Sequence, residues 1–433
     1  MVHPNCPWNR EPAARNARFP ANLDRLHRIR QVAANAALAG NTAPSSANPY
    51  NSMKKLYAAV AASVFSISIA FAQTVPAPNV AAKSWLLLDA TSGQVLASQE
   101  PNLRIEPASL TKIMTAYLAF AAIRDKKLSM EQKVNVSVRA WKVDPSSSKM
   151  FIDPATPVSV SDLLYGLMVQ SGNDAAVALA EAVAGSEETF VVLMNREAER
   201  MGLKSSHFGN PHGLPSAQNY STAQDLSVLA AHVIADYPDF YKIDSVRSFT
   251  YNKIKQPNRN RLLWLDSTVD GMKTGHTEAA GYCMIASAHR PNGSGERRLI
   301  SVVLGTNSDQ ARTAESQKLL NWGYQNFDTV KLYGKGQAVE TLPVWKGAQN
   351  QLKVGFDRDT FVTLPKGVAG KMKPVLERRD PLVAPIAQNS QIGTMHLMVD
   401  GKSVRDLPVL ALEQVPQASI FGRAWDSLRL LFK

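Results

Sequence analysis

The sequence predicts an α+β fold in two parts, closed by an amphipathic helix, and three observations carry that reading. Strand-like runs at 84–98 and 282–304 flank a long stretch of helical periodicity between about 109 and 201. From about Val330 the pattern changes to short apolar runs such as "FVTLP" and "MHLMVDG", spaced by Gly, Pro and Asn with no helical period. After Val415-Pro416 the segment "ASIFGRAWDSLRLLFK" becomes helical again.

Each element has a local reason. "SWLLLDATSGQVLAS" is two apolar runs around a Ser-Gly turn, hence a hairpin. In "EPASLTKIMTAY", Leu110, Ile113, Met114, Tyr117, Leu118 and Ala121 recur at helical spacing, so one buried stripe is expected, with Pro107 in the first turn. Polar residues and Pro break the helical pattern between Trp141 and Pro157. "YCMIASAH" and "RLISVVLG" are two further strands joined by the turn at 291–295, and a last helix is expected near Glu315 to Phe327. The β-rich part, 330–414, has the size of a small sandwich, and no internal repeat is visible.

The chain's start reads differently. "MKKLYAAVAASVFSISIAFAQ" from Met53 has two lysines, an apolar run and an Ala-Phe-Ala before Gln73, the three parts of a secretory signal peptide. The apolar run is short of the ~20 residues that spanning a bilayer needs. Residues 1–52 therefore read as a leader outside the fold or as sequence upstream of the true start, 53–72 as the signal peptide, and the mature chain as beginning near residue 73.

Charge and cysteine content narrow the classes. With 433 residues, 45% of them apolar, the chain can build two domains and a sizeable core. The first 72 residues hold eight Lys/Arg and two Asp/Glu, so of the net +12 only +6 belongs to the mature part. No basic stretch interleaved with aromatics and no zinc-finger spacing points to nucleic acid. A mildly basic exported protein suits an anionic membrane or wall surface. Of the two cysteines, Cys6 lies in the leader, and Cys283 sits in an apolar alternating segment as an expected core thiol. No HxxxH or CxxC pairing argues for a metal, and no cofactor is implied.

The chemistry-bearing pattern begins with Ser109 and Lys112. At i and i+3 both lie on one helix face, so the lysine amine can reach the serine hydroxyl. Desolvation disfavours an ammonium, so a buried lysine can act as base to a serine nucleophile. Alone, the spacing is weak: it recurs at Ser52/Lys55 and Ser146/Lys149, and a helix-capping serine beside a solvated lysine explains an isolated case.

Two further motifs follow in order, Ser171-Gly172-Asn173 and Lys273-Thr274-Gly275, and the three together match a known signature with a serine nucleophile. With "MVQSGNDAA", "NPHGLP", "YSTAQDL" and "VDGMKTGHTEAAGY", the mature chain resembles the low-molecular-mass penicillin-binding proteins that are D-alanyl-D-alanine carboxypeptidases. The resemblance implies a β-lactamase/transpeptidase-like catalytic domain at 73–329, an antiparallel sheet with helices. It also implies that Ser109 is acylated, that Lys112 is its base and that Ser171 relays a proton to the leaving amine. Asn173 is expected to hold the substrate amide. Lys273-Thr274-Gly275, expected just before a strand, would meet the substrate carboxylate, glycine letting the substrate backbone come close. Backbone N–H groups of Ser109 and His276 would form the oxyanion hole, and Arg312 would orient the carboxylate unless it is a surface arginine.

The implied partners are peptidoglycan stem peptides, β-lactams as covalent inhibitors, and the periplasmic face of the inner membrane, reached through the amphipathic helix within 415–433. In that helix Phe421, Trp425, Leu428 and Phe432 share a side, and Arg423, Asp426, Ser427, Arg429 and Lys433 occupy the other. His212 or His276 with Asp174 or Asp225 would make a conventional triad, but a lysine base makes one unnecessary. A class A β-lactamase shares the motifs, yet the chain lacks an E-x-x-L-N run between the second and third. A D,D-endopeptidase and a non-catalytic wall-binding homologue are the other readings.

Overall fold

The computed structural model describes residues 75–293 and 295–431; the expected leader and signal peptide, Cys6, Phe432 and Lys433 lie outside them. The core of the catalytic part is a five-stranded antiparallel sheet. In chain order its strands are β1 (Ser84–Asp89), β2 (Gln94–Gln99), β3 (Val269–Thr277), β4 (Gly281–Asn292) and β5 (Gly295–Thr306), and they lie side by side as β2-β1-β5-β4-β3. β1 therefore pairs with strands from both ends of this part, opposing Ala97 and Ser301 at Leu87.

Side chains alternate between the two faces of a strand, and here both faces are covered, which is why β1, β4 and β5 read as nearly unbroken apolar runs. Leu86, Ile285, Ile300 and Val302 face the large helical cluster. Trp85, Leu87, Met284 and Leu299 face a smaller core with Leu319 and Leu320. Those two leucines belong to the helix Asp309–Asn326, which begins six residues earlier than Glu315 because the Ser308 side chain caps the N–H of Ala311.

The helical layer is built around α1 (Lys112–Arg124). Leu118 and Ala121 on it are only partly covered, whereas Lys112, Thr115, Ala116 and Ala119 are buried, so the helix has no single apolar stripe. It runs through the middle of the domain, and a central helix is covered all round. α2 (Asn173–Ala184) packs beside it with its first eight residues buried. Between them the chain passes through the irregular segment 142–157 and a π-helical turn at Gly166–Gln170.

The β-rich part begins at Phe327. Six strands order as 373–378, 391–399, 402–411, 351–355, 338–345 and 382–383, and a two-stranded ladder pairs 327–333 with 360–365 over the same core. It joins the catalytic part through a buried polar knot. Asp89 Oδ2 accepts from Arg297 Nε at 2.8 Å, Thr329 Oγ1 at 2.6 Å and Thr363 Oγ1 at 2.9 Å. A carboxylate this deeply buried is tolerated because charge and hydrogen bonds compensate its lost hydration.

The terminal helix Ile420–Leu430 is set against the β-rich part by its polar edge. Asp426 accepts the N–H of Lys346 at 2.6 Å and the Arg429 guanidinium lies 5.9 Å from the Trp345 ring centre. Phe421 and Trp425 remain 87% and 63% exposed, and no residue of the helix is buried. Among the described residues no helix is long and apolar enough to cross a membrane.

Candidate active site

Ser109 sits in a tight 3₁₀ turn, Ala108–Thr111, that leads into α1. Ala108 just before it has φ +48°, a conformation costly for a residue with a side chain, and the turn is held by its surroundings. Gly213, at φ +85°, packs so closely that a Cβ there would lie 1.8 Å from the Ala108 carbonyl oxygen. Ser171, which lines the same cleft, is another left-handed position at φ +68°.

Lys112 is fully buried, with Nζ 3.0 Å from Ser109 Oγ. It donates to Asn173 Oδ1 and to the His212 carbonyl, both at 2.6 Å. A neutral amine has two N–H groups and one lone pair; with both donors spent on these carbonyls, the lone pair is left for the serine hydroxyl. Desolvation holds the Lys112 pKa well below its usual value, and the cations Lys273 and Arg259 add to the effect.

The third motif lies within β3, the edge strand, where it was expected just before a strand. Lys273 and Thr274 are buried there; burial, reinforced by Arg259 and Arg312, pushes the Lys273 pKa down to about 7. Gly275 lines the cleft and leaves no room for a side chain: a Cβ would stand 3.1 Å from Pro107 O and 3.2 Å from Ser109 N. This close approach brings the backbone of Ser109 beside that of His276. Thr277 Oγ1 ties the end of the strand to Glu106 at 3.0 Å.

Ser171 and Asn173 enter from the turn before α2. Ser171 is buried and lines the cleft, but its hydroxyl makes no hydrogen bond among the described residues. Asn173 Oδ1 is engaged by Lys112, which leaves its amide N–H₂ for a ligand. Asp174 takes no part in a triad: its oxygens accept the N–H groups of Met150, Phe151 and Ala175 at 2.9 Å, pinning the segment 142–157 over the site. Asp225 is likewise spent on Ser205 and Ser206. His212 Nδ1 accepts from Leu214 N–H, and its other nitrogen faces Glu187; the His276 ring packs on Tyr282. His207 bonds the Gln218 carbonyl.

Arg312 is not a surface arginine. It is 6% exposed and donates to Gly275 O at 2.9 Å, while its other end pairs with Asp309. The sequence reading missed Arg259 and Arg261, which also line the cleft. Their signal was "QPNRNR", in which burial alternates along 256–261 with Asn258 and Asn260 as inward anchors. The whole cleft has a volume of about 840 Å³ and is walled opposite by Asp144 and Ser146–148. Among the described residues no group of His, Cys, Asp and Glu is arranged to hold a metal, and Cys283 is buried in β4 with its thiol pKa pushed up to about 11 by desolvation.

A buried lysine paired with a half-exposed serine, beside an edge strand and a serine-asparagine turn, is an arrangement suited to acyl transfer at the serine. Residues 71–308 match the D-alanyl-D-alanine carboxypeptidase family of peptidases, and residues 327–417 match the C-terminal domain of penicillin-binding protein 5. The chain is 44% identical over 379 residues to D-alanyl-D-alanine carboxypeptidase DacA of Haemophilus influenzae, covering 86% of this chain and 95% of that one. It is 42% identical to DacC of Escherichia coli over 392 residues, 88% and 97% of the two chains. Penicillin-binding protein 5 of Haemophilus influenzae superposes with a TM-score of 0.76 at 43% identity, over 79% of this chain and all of that one. Penicillin-binding protein D2 of Listeria monocytogenes, solved in a cefotaxime-bound form, superposes at 0.53 with 30% identity, over 57% of this chain and 99% of that one. The chain belongs to the D-alanyl-D-alanine carboxypeptidase family.

Proposed function

We infer that the chain removes the terminal D-alanine of peptidoglycan stem peptides through an acyl-enzyme at Ser109. It is a serine-type D-alanyl-D-alanine carboxypeptidase, and the observation that carries the mechanism is the position of the Lys112 amine between Ser109, Asn173 and His212. In our reading the neutral amine takes the Ser109 proton as Oγ attacks the D-Ala carbonyl. The oxyanion is met by the N–H groups of Ser109 and His276. The leaving D-alanine takes its proton through Ser171, and water then hydrolyses the ester with Lys112 again as base. Thr274 and Arg312 hold the terminal carboxylate, with the Lys273 charge behind them. β-Lactams occupy the same serine and remain on it as stable esters.

The protein is proposed to work from the outer face of the inner membrane after export, with the helix Ile420–Leu430 lying in the membrane surface. The exposed Phe421, Trp425 and Leu428, with basic residues beside them, favour such an interfacial position. Mass spectrometry of a penicillin-treated digest tests the chemistry: the adduct is expected on the peptide that contains Ser109, with D-alanine released from a pentapeptide by untreated protein. An adduct on another serine, or no D-alanine released, overturns the assignment.

A further inference from the structure

Deep burial of a carboxylate is costly unless hydrogen bonds or a charge offset its lost hydration. Asp89, Asp174 and Asp225 are all buried, and each accepts more than one hydrogen bond. Asp244 differs. It is 1% exposed, its side chain makes no hydrogen bond among the described residues, and its Oδ2 is wholly enclosed.

Two consecutive helical turns, Pro238–Tyr241 and Lys242–Ser245, bring the chain to this position. Tyr241 and Asp244, three residues apart in them, share a side, and both are buried. That side faces β3: the Tyr241 hydroxyl donates to Asp270 Oδ1 at 2.9 Å, and a Cβ at Gly271 would collide with it. The segment that carries Arg259 is stitched to the same place. Asn258 Nδ2 donates to Val246 O at 3.0 Å and lies 3.4 Å from Asp244 O, and Asn260 Nδ2 donates to Gly271 O at 2.9 Å. Lys273, two residues beyond Gly271 in β3, is 2% exposed, and its amine makes one hydrogen bond among the described residues, to Thr274 O at 3.1 Å. The charges acting on this amine come from every side: Lys112 at the head of α1, Arg259, Arg312 from the helix Asp309–Asn326, and Asp244. Three cations disfavour an ammonium there and, among the described residues, Asp244 is the anion that favours it. Asp244 in turn faces Lys273, Asp270 and the Tyr241 hydroxyl.

We propose that Asp244 is a positioning residue for substrate binding, the buried counter-charge that lets Lys273 stand as an ammonium behind the substrate carboxylate. The inference rests on the reading that Thr274 and Arg312 hold that carboxylate with the Lys273 charge behind them. Asp244 does not line the cleft and acts through Lys273. Burial pushes the Asp244 pKa well above the usual carboxylate range and brings that of Lys273 down to about 7, so each charge is disfavoured there on its own. The two groups therefore share a proton. On Asp244 it leaves an acid and a neutral amine; on Lys273 it leaves a carboxylate and an ammonium, each of which favours the other. A substrate carboxylate arriving beside Lys273 selects the second arrangement.

The test uses the full chain and two substrates of one sequence, a pentapeptide ending in D-Ala-D-Ala and its C-terminal amide. Asp244→Asn keeps the shape of the side chain and removes the anion. At about pH 8 it is expected to raise KM for the acid about tenfold, the effect of one pH unit in the ionisation of Lys273, while KM for the amide and kcat on both stay within about twofold. The rise of KM for the acid with pH should begin at lower pH in the variant than in wild type. Its thermal midpoint should equal or exceed that of wild type, because the cost of burying a carboxylate without hydrogen bonds is removed. Asp244→Ser, neutral and smaller, should give the same ratio of acid to amide KM, and it decides the matter where the Asn variant does not fold. A ratio unchanged from wild type overturns the proposal, as does an equal loss on both substrates, the mark of a merely structural role. A wild type that binds acid and amide alike overturns the carboxylate reading of Lys273 itself, and the proposal with it.

Discussion

The amine of Lys112 is held 2.6 Å from the side-chain carbonyl of Asn173, and this contact decides which way the lysine can use its lone pair. With the His212 carbonyl it fixes both donor directions, so the remaining direction is that of Ser109. Asn173→Asp would put a carboxylate in the same place, favour the ammonium and raise the Lys112 pKa. The acid limb of the acylation pH profile should move to higher pH, measured as kcat/KM with a chromogenic cephalosporin. An unmoved limb would mean that Lys112 is not the base.

Removing the proposed base or nucleophile should separate chemistry from folding. Ser109→Ala is expected to abolish acylation, and Lys112→Ala to slow it by about 10²–10⁴-fold. Both should unfold near the wild-type temperature, followed by circular dichroism.

The two lysines give opposite pH limbs. In the proposed mechanism Lys112 acts as the neutral amine, so acylation should fall as acid protonates it, whatever the substrate. In the same mechanism Lys273 favours the carboxylate by its charge, and its pKa of about 7 means that the free enzyme loses this charge as pH rises through that value. KM for a peptide acid should therefore rise above about pH 7, whereas the corresponding peptide amide should show no such rise. Equal behaviour of acid and amide would remove Lys273 from carboxylate binding.

The turn that presents Ser109 depends on a missing side chain at Gly213, where a Cβ would overlap the Ala108 carbonyl. Gly213→Ala should reduce penicillin acylation at least as much as it reduces stability, because the strained turn itself is displaced. Normal acylation rates in the folded variant would contradict this.

Asp89 should be the costliest single position outside the cleft. Asp89→Ala strands the buried Arg297 guanidinium, a change worth about 3–5 kcal/mol in chemical denaturation. Asp89→Asn, which keeps some hydrogen bonds, should cost less.

For the terminal helix, truncation after Pro416 should leave active enzyme that no longer sediments with anionic vesicles, and Trp425→Glu should weaken the binding of the intact chain. Retention of the truncated protein on vesicles would overturn the anchor.

The sheet and the three motifs were legible because both rest on short-range signals: unbroken apolar runs for β1, β4 and β5, and fixed spacings for Ser109, Ser171 and Lys273. What was not legible depends on contacts between distant segments. Nothing near Asn173 in sequence says that its carbonyl faces a lysine 61 positions earlier. Asp174 looked like a candidate orienter because only the fold brings the N–H groups of Met150 and Phe151 to it. Nor does the sequence show that a side chain at Gly275 would meet the turn at Pro107–Ser109, which is remote in the chain. The stripe expected on α1 failed for the same reason: periodicity records amphipathic helices, and a helix surrounded by others has no outer face to record.

Cys283 is the free thiol of the described chain, buried in β4 directly opposite Gly275 of the strand that completes the catalytic cleft. Its sulfur can be reached by a reagent only when β3 or the helices above it part, so the rate of thiol capture under native conditions times the opening of this part of the sheet. An acyl group bound across Ser109 and β3 joins the two sides of that opening. A penicillin adduct should therefore slow capture of Cys283, turning an inert core residue into a reporter of how firmly each β-lactam clasps the enzyme.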